Sequence, residues 1–160
     1  YAKHKHTYIY IYANLSENEP SYSAFLLVEI KQKYAMPAGI LEVTVAEGRH
    51  LKDEDILGEN DAYVELYLDK KYKQRTTTIS NSNNPTWNQH FTFNLDKHDH
   101  EIHFHVYDSD VGGRDSIGSC KVKLKHVFDD GKFDEWVKLP ANLGLTSHGE
   151  IHIIMHFKPS

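Results

Sequence analysis

Cysteine is almost missing from this chain. Cys120 is the sole one among 160 residues, which excludes an internal disulfide and fits a reducing compartment. Long apolar runs are missing as well: no stretch reaches about 18 consecutive apolar residues, so none reads as a membrane-spanning helix. The N-terminal stretch has no apolar segment ending in a small-residue cleavage site, and the expectation is a soluble, cytoplasmic protein. Positive charge is in short supply, with a net charge of -5 that argues against a nucleic-acid partner. No Gly-x-Ser-x-Gly elbow occurs, and Cys120 falls inside a strand-like stretch rather than an electropositive turn. Nothing therefore points to nucleophilic catalysis, and the chain does not read as an enzyme.

What is present suits one globular domain: 39% hydrophobic residues, 12% aromatics, and enough length to bury a core. From Gly39 onward short strands alternate with turn chemistry. Gly39 to Ala46 places Leu41, Val43 and Val45 on one face, and Asp61 to Leu68 does the same with Val64, Leu66 and Leu68. Lys73 to Ile79 reads as a Thr-rich polar strand. After the breaker Asn81-Ser82-Asn83-Asn84-Pro85, Trp87 to Leu95 turns Phe91, Phe93 and Leu95 inward, and Glu101 to Tyr107 follows with Ile102, Phe104 and Val106. Ile117 to Leu124 alternates weakly, Lys125 to Phe133 holds the one expected helical turn, and Trp136 to Leu139 with Gly149 to Phe157 completes about eight strands. The economical architecture is an all-β, eight-stranded antiparallel sandwich. Residues 1–38 differ in character, with the alternation Tyr8-Ile9-Tyr10-Ile11-Tyr12. They read as an N-terminal extension supplying extra strands, a tail, or sequence upstream of a start at Met36.

The chemistry concentrates in the loops. In Tyr107-Asp108-Ser109-Asp110-Val111-Gly112-Gly113-Arg114-Asp115, Asp108 and Asp110 are two apart, so their carboxylates leave an extended strand on one side. Gly112-Gly113 then lets the chain fold back and bring Asp115 near them. Unit charges about 4 Å apart repel by roughly 4 kcal/mol at an effective dielectric near 20, so this cluster is partly protonated or holds a cation. The loop between the first two strands, Leu51-Lys52-Asp53-Glu54-Asp55-Ile56-Leu57-Gly58-Glu59-Asn60-Asp61, also sets two aspartates around a glycine, with Asp53 read as a solvated turn residue. An all-oxygen set without cysteine or histidine suits a hard cation, and mobile loops suit calcium's flexible coordination better than magnesium's octahedron.

These two loops, with Asn84-Pro85-Thr86-Trp87-Asn88 between them and Asp115-Ser116-Ile117-Gly118 after them, resemble in order and chemistry the C2 domain, the calcium and phospholipid module of protein kinase C and synaptotagmins. The resemblance covers residues 39–158. It implies the second of the two C2 topologies, as in the small single-domain proteins of plants and fungi. By that resemblance the calcium ligands are Asp55, Asp61, Asp108, Asp110 and Asp115, joined by peptide oxygens of Glu54 and Ser109, and two Ca2+ ions are expected. The spacing from Asp110 to Asp115 is one residue shorter than in protein kinase C, which bears on the second ion. The implied activity is calcium-dependent attachment to anionic phospholipid such as phosphatidylserine, peripheral and cytoplasmic. Ile56, Leu57, Val111 and Arg114 are then the membrane contacts.

From residue 40 on there are 14 basic and 20 acidic residues, a balance of -6, and setting aside the five aspartates leaves -1. The acidity therefore gathers at one end. Lys71, Lys73 and Arg75 form a basic stretch that reads either as a solvated face or as a phosphoinositide contact, although Glu65, Tyr67 and Thr77 stand where lysine-rich members of the family carry lysine. His103 and His105 fall on the outward face of one strand without an identifiable third zinc ligand and read as a polar surface. Asn84, Pro85 and Trp87 read as turn and core. The rival to the calcium reading is a calcium-independent protein-interaction module whose metal site is weak or structural.

Overall fold

In the computed structural model the described residues are 38–53, 58–110, 112–141 and 146–160. They belong to one unit, Met36–Ser160. The expectations for the N-terminal extension fall outside the described residues, apart from Ala38.

Among the described residues, eight strands and one short helix follow in the order β1 (Gly39–Arg49), β2 (Ala62–Tyr67), β3 (Gln74–Arg75), β4 (Thr86–Leu95), β5 (Glu101–Asp108), β6 (Asp115–Lys123), α1 (Lys125–Asp130), β7 (Lys132–Pro140) and β8 (Ser147–Pro159). One four-stranded sheet runs β4-β1-β8-β7 and the other β3-β2-β5-β6, all pairings antiparallel. The described unit is the all-β sandwich that the alternation called for. Inward positions at every second residue carry the core: Leu41, Val43 and Val45 from β1, Ile102, Phe104 and Val106 from β5, and Ile151, Ile153 and Met155 from β8 are at most 1% exposed. Trp87, expected in the core, is buried there, and its Nε1–H donates to the Ala62 carbonyl at 3.1 Å, joining β4 to the strand of the opposite sheet.

Two expectations need correction. The Thr-rich strand from Lys73 to Ile79 shrinks to the two residues of β3, followed by an isolated bridge between Ala62 and Ile79. Side chains take over the ladder: the Val64 N–H donates to Thr76 Oγ1 at 3.0 Å, and the Thr77 N–H donates to Gln89 Oε1 at 2.6 Å. Hydroxyl and amide groups offering such bonds compete with regular sheet pairing. The second correction concerns β2. Alternation predicts one buried face, yet all six residues are buried, Tyr63, Glu65 and Tyr67 included.

β2 begins, β5 ends and β6 begins at the same end of their sheet, since Ala62 and Asp115 both pair with Asp108. Asp61, leading into β2, and Ser109, following β5, therefore stand side by side, and that end holds the candidate site.

Candidate metal centre

Sheet register brings Asp61, Asp108 and Asp115 together. Asp108, 1% exposed, closes β5; Asp115 faces it across the β5–β6 pair, and Asp61 directly precedes Ala62, its partner on β2. Neighbouring strands lie about 4.8 Å apart, so the three aspartates occupy neighbouring places at one end of the sheet. The Asp61 N–H donates to Asp108 Oδ1 at 2.7 Å, and the Ser109 N–H donates back to the Asp61 carbonyl at 3.0 Å. Loop one, which leads into β2, and loop three, which joins β5 to β6, are thus stitched together by the acidic segments themselves. Asp110 is exposed, and its carbonyl accepts the Gly113 N–H at 3.3 Å as Gly112 (φ +100°) reverses the chain. That is the fold-back expected of the glycine pair. Glu54, Asp55, Ile56, Leu57 and Val111 lie outside the described residues. Among the described residues no three carboxylate, histidine or cysteine side chains stand in metal-holding geometry. The donor chemistry of Asp61, Asp108, Asp110 and Asp115 is all oxygen, and it fits a hard cation.

A set of asparagines that reads in sequence only as a chain breaker supports this end. Asn60 is fully buried; its Nδ2 donates to the Lys52 carbonyl at 2.9 Å and also to Asn83 Oδ1, which accepts the Asn60 N–H as well. The Asn81 N–H donates to Asp61 Oδ1 at 2.8 Å, while Asn81 Oδ1 accepts the Glu59 N–H at 3.1 Å. Asn83 Nδ2 reaches Asp53 Oδ2 at 3.3 Å, so the aspartate read as a solvated turn residue is tied into the same network. Such groups fix a ligand's orientation without touching a metal themselves. The cluster Asn81-Ser82-Asn83-Asn84 was the available signal, because asparagine is the residue whose side chain most readily replaces backbone partners in loops.

Of the remaining sequence candidates, Arg114, Lys73 and Arg75 converge on the outer face of the β3-β2-β5-β6 sheet. Arg114 does not stand free at the loop tip: its Nη1 donates to Glu65 Oε1 at 2.5 Å and to the Tyr63 hydroxyl at 3.4 Å, with its Cζ 4.1 Å from the Tyr107 ring centroid. The Tyr63 hydroxyl and Glu65 raise the guanidinium pKa still further. Lys73 Nζ donates to Glu65 Oε2 at 2.8 Å, and Arg75 Cζ lies 4.0 Å from the Tyr63 centroid. Lys71 is not with them; it sits in the turn after β2, its N–H held by Asp69 Oδ1 at 3.0 Å, beside the 76%-exposed Tyr72. Burial would raise the Glu65 pKa, but the hydrogen bonds from Lys73 and Arg114 outweigh it and hold the carboxyl below its ordinary value. His103 and His105 stack against Tyr67 on this face. Burial pushes the Cys120 thiol up to about 12, in keeping with a structural cysteine.

The family model of the C2 domain matches residues 39–139. Among curated relatives, Synaptotagmin-4 of Arabidopsis thaliana is 35% identical over 126 residues, which are 78% of this chain and 22% of the relative. A second relative from the same plant, named Calcium-dependent lipid-binding protein, is 34% identical over 103 residues, 62% of this chain and 20% of its own length. The chain thus spans about a fifth of these relatives. Among solved structures, the C2A domain of a plant extended synaptotagmin 1 superposes with a TM-score of 0.68 at 26% identity, covering 78% of this chain and 98% of that one. With its sandwich, its paired acidic loops and these matches, the chain belongs to the C2 domain family.

Proposed function

We propose that this domain attaches to anionic phospholipid surfaces when calcium is present, as a peripheral, cytoplasmic membrane-targeting module. The observation that carries the reading is that Asp108 at the end of β5, Asp115 opposite it on β6 and Asp61 just before β2 stand at one end of the sheet, tied by the Asp61 N–H to Asp108 Oδ1 bond. A relative named for calcium-dependent lipid binding supports it. Asp55, Asp61, Asp108, Asp110 and Asp115, with peptide oxygens of Glu54 and Ser109, would hold the calcium, and two ions suit five carboxylates. Without a counterion this acidic end repels an anionic bilayer. Bound calcium cancels that charge and offers coordination positions to lipid phosphate or carboxylate groups. Ile56, Leu57 and Val111 then enter the interface, each worth about 1.5–3 kcal/mol when fully buried, while the Asn60, Asn81 and Asn83 network keeps the loops in place for them.

The test is sedimentation with phosphatidylserine liposomes in calcium and in chelator. We expect pelleting with calcium, none in chelator, and none for the double variant Asp108→Asn, Asp110→Asn under either condition. Pelleting that ignores chelator and the double variant would remove the proposal. Calcium titration followed by thermal melting provides an independent check, because a ligand of the folded state raises the melting temperature. An unchanged melting curve favours the protein-interaction reading.

A further inference from the structure

On its side away from the core, the β3-β2-β5-β6 sheet is floored by rings. Tyr63 stacks on Tyr107 (5.5 Å between centroids), Tyr107 on His105 (6.0 Å), His105 on Tyr67 (5.7 Å) and Tyr67 on His103 (5.1 Å). Three cations lie over this floor: Arg75 over Tyr63, Arg114 over Tyr107, and Lys73 over Tyr67 at 5.4 Å. Between them stands one carboxylate. Glu65, 9% exposed, gives one oxygen to Lys73 and the other to Arg114. The two cations reach it from different directions, Lys73 from just before β3 and Arg114 from loop three. Without Glu65, three cations would surround a partly covered, ring-floored position, an arrangement suited to an oxyanion accepting hydrogen bonds from several donors at once. With Glu65 in place that position is filled by the protein's own anion.

We infer that Glu65 is a specificity-determining residue, a built-in counterion that closes the cationic face of the sheet to phosphate groups and leaves the loop end as the route to anionic surfaces. The closed face stands independently of calcium; only the second half, the loop-end route, rests on the function proposed above. Hydrogen bonding to two cations anchors the carboxylate more firmly than one surface pair would. A phosphate approaching from solvent must displace an anion that is already in place at no cost in association entropy. Changing Glu65 to a neutral residue removes the competitor and adds one unit of positive charge to the face in the same step.

The experiment is carried out throughout in chelator, so that calcium binding plays no part and its failure elsewhere cannot be mistaken for failure here. Wild type, Glu65→Gln and Glu65→Asp are compared in two arms: calorimetric titration with inositol hexakisphosphate, and sedimentation with phosphatidylcholine vesicles carrying a phosphoinositide. The first reports phosphate as such, the second phosphate on a lipid surface. We expect weak binding by wild type and by Glu65→Asp, which keeps the charge. Glu65→Gln should bind about tenfold or more tightly in at least one arm, and adding Arg114→Ala should cancel the gain. Should Glu65→Gln melt too early to use, Glu65→Thr removes the same charge with a β-branched side chain suited to a strand. Equal binding by wild type and the neutral variants in both arms overturns the inference, as does a gain that survives Arg114→Ala.

Discussion

Asn60 shows how much of the acidic end depends on residues that are not acidic. Its side chain is fully buried and donates to the Lys52 carbonyl and to Asn83, while its N–H is held by Asn83 and its carbonyl accepts the Ser82 N–H at 2.9 Å. Replacing a buried, bonded amide by a methyl group leaves its partners unsatisfied, at about 1–3 kcal/mol per group. Asn60→Ala should therefore lower stability by roughly 2 kcal/mol in urea unfolding, whereas Asp110→Ala, an exposed substitution, should change it by about 0.5 kcal/mol or less without metal. Equal losses would mean that the network carries no weight. The sequence could name the aspartates because their residue type and order carry the signal. It could not name Asn60, Asn81 and Asn83 as their supports, since those bonds exist only once loop one meets the segment before β4. Glu65 stood out only as a carboxylate where lysine-rich members of the family carry lysine: alternation placed it outward, and nothing in β2 alone says that Lys73 and Arg114 will cover it.

At the level of elements, strand existence was legible and strand continuity was not. β1, β4, β5 and β8 declared themselves through apolar residues at every second position, a pattern set by one strand's own side chains. The loss of the strand from Lys73 to Ile79 depends on Thr76 and Gln89 replacing backbone partners, which periodicity does not record. The glycines make a sharper case. Gly131 ends α1 in the left-handed region (φ +71°), with open space where a methyl group would stand, while Gly149 (φ +99°) opens β8 at a point where a methyl carbon would lie 2.5 Å from the His50 carbonyl oxygen. Positive φ alone makes Gly131→Ala cost about 1 kcal/mol. Gly149→Ala adds a backbone collision to the strain and should cost about 2–4 kcal/mol. Thermal denaturation of the two variants checks the order; an equal or reversed order would mean that the chain around His50 yields freely.

For the whole molecule, acid should weaken the fold in two separable steps. Burial lowers the His105 pKa below its ordinary 6.5, helped by the positive charges of Lys73 and His103, and Tyr67 holds the ring through a 3.2 Å hydrogen bond. The unfolded chain therefore takes up a proton near pH 6.5 that the folded one still refuses. Stability from this group is complete above that pH and is lost as pH falls through the lower, folded value. Glu65 has the same sign in a lower window: its folded pKa lies below the ordinary 4.5, because the bonds from Lys73 and Arg114 overcome the effect of burial, so its contribution disappears as pH falls beneath about 4.5. Melting temperature in chelator should hold steady between about pH 7 and 8, decline from about pH 6.5 downward, and decline again below about pH 4.5. His105→Gln, which retains a hydrogen-bonding side chain but cannot titrate, should flatten the first decline and leave the second. Glu65→Gln should weaken the second and leave the first. A His105→Gln profile that overlays wild type through about pH 5 would show that the ring on the stacked face is solvated enough to accept its proton in the folded state. The part of each decline that these two variants remove belongs to the ring-floored surface over which Lys73 and Arg114 converge, since His105 and Glu65 both stand on it.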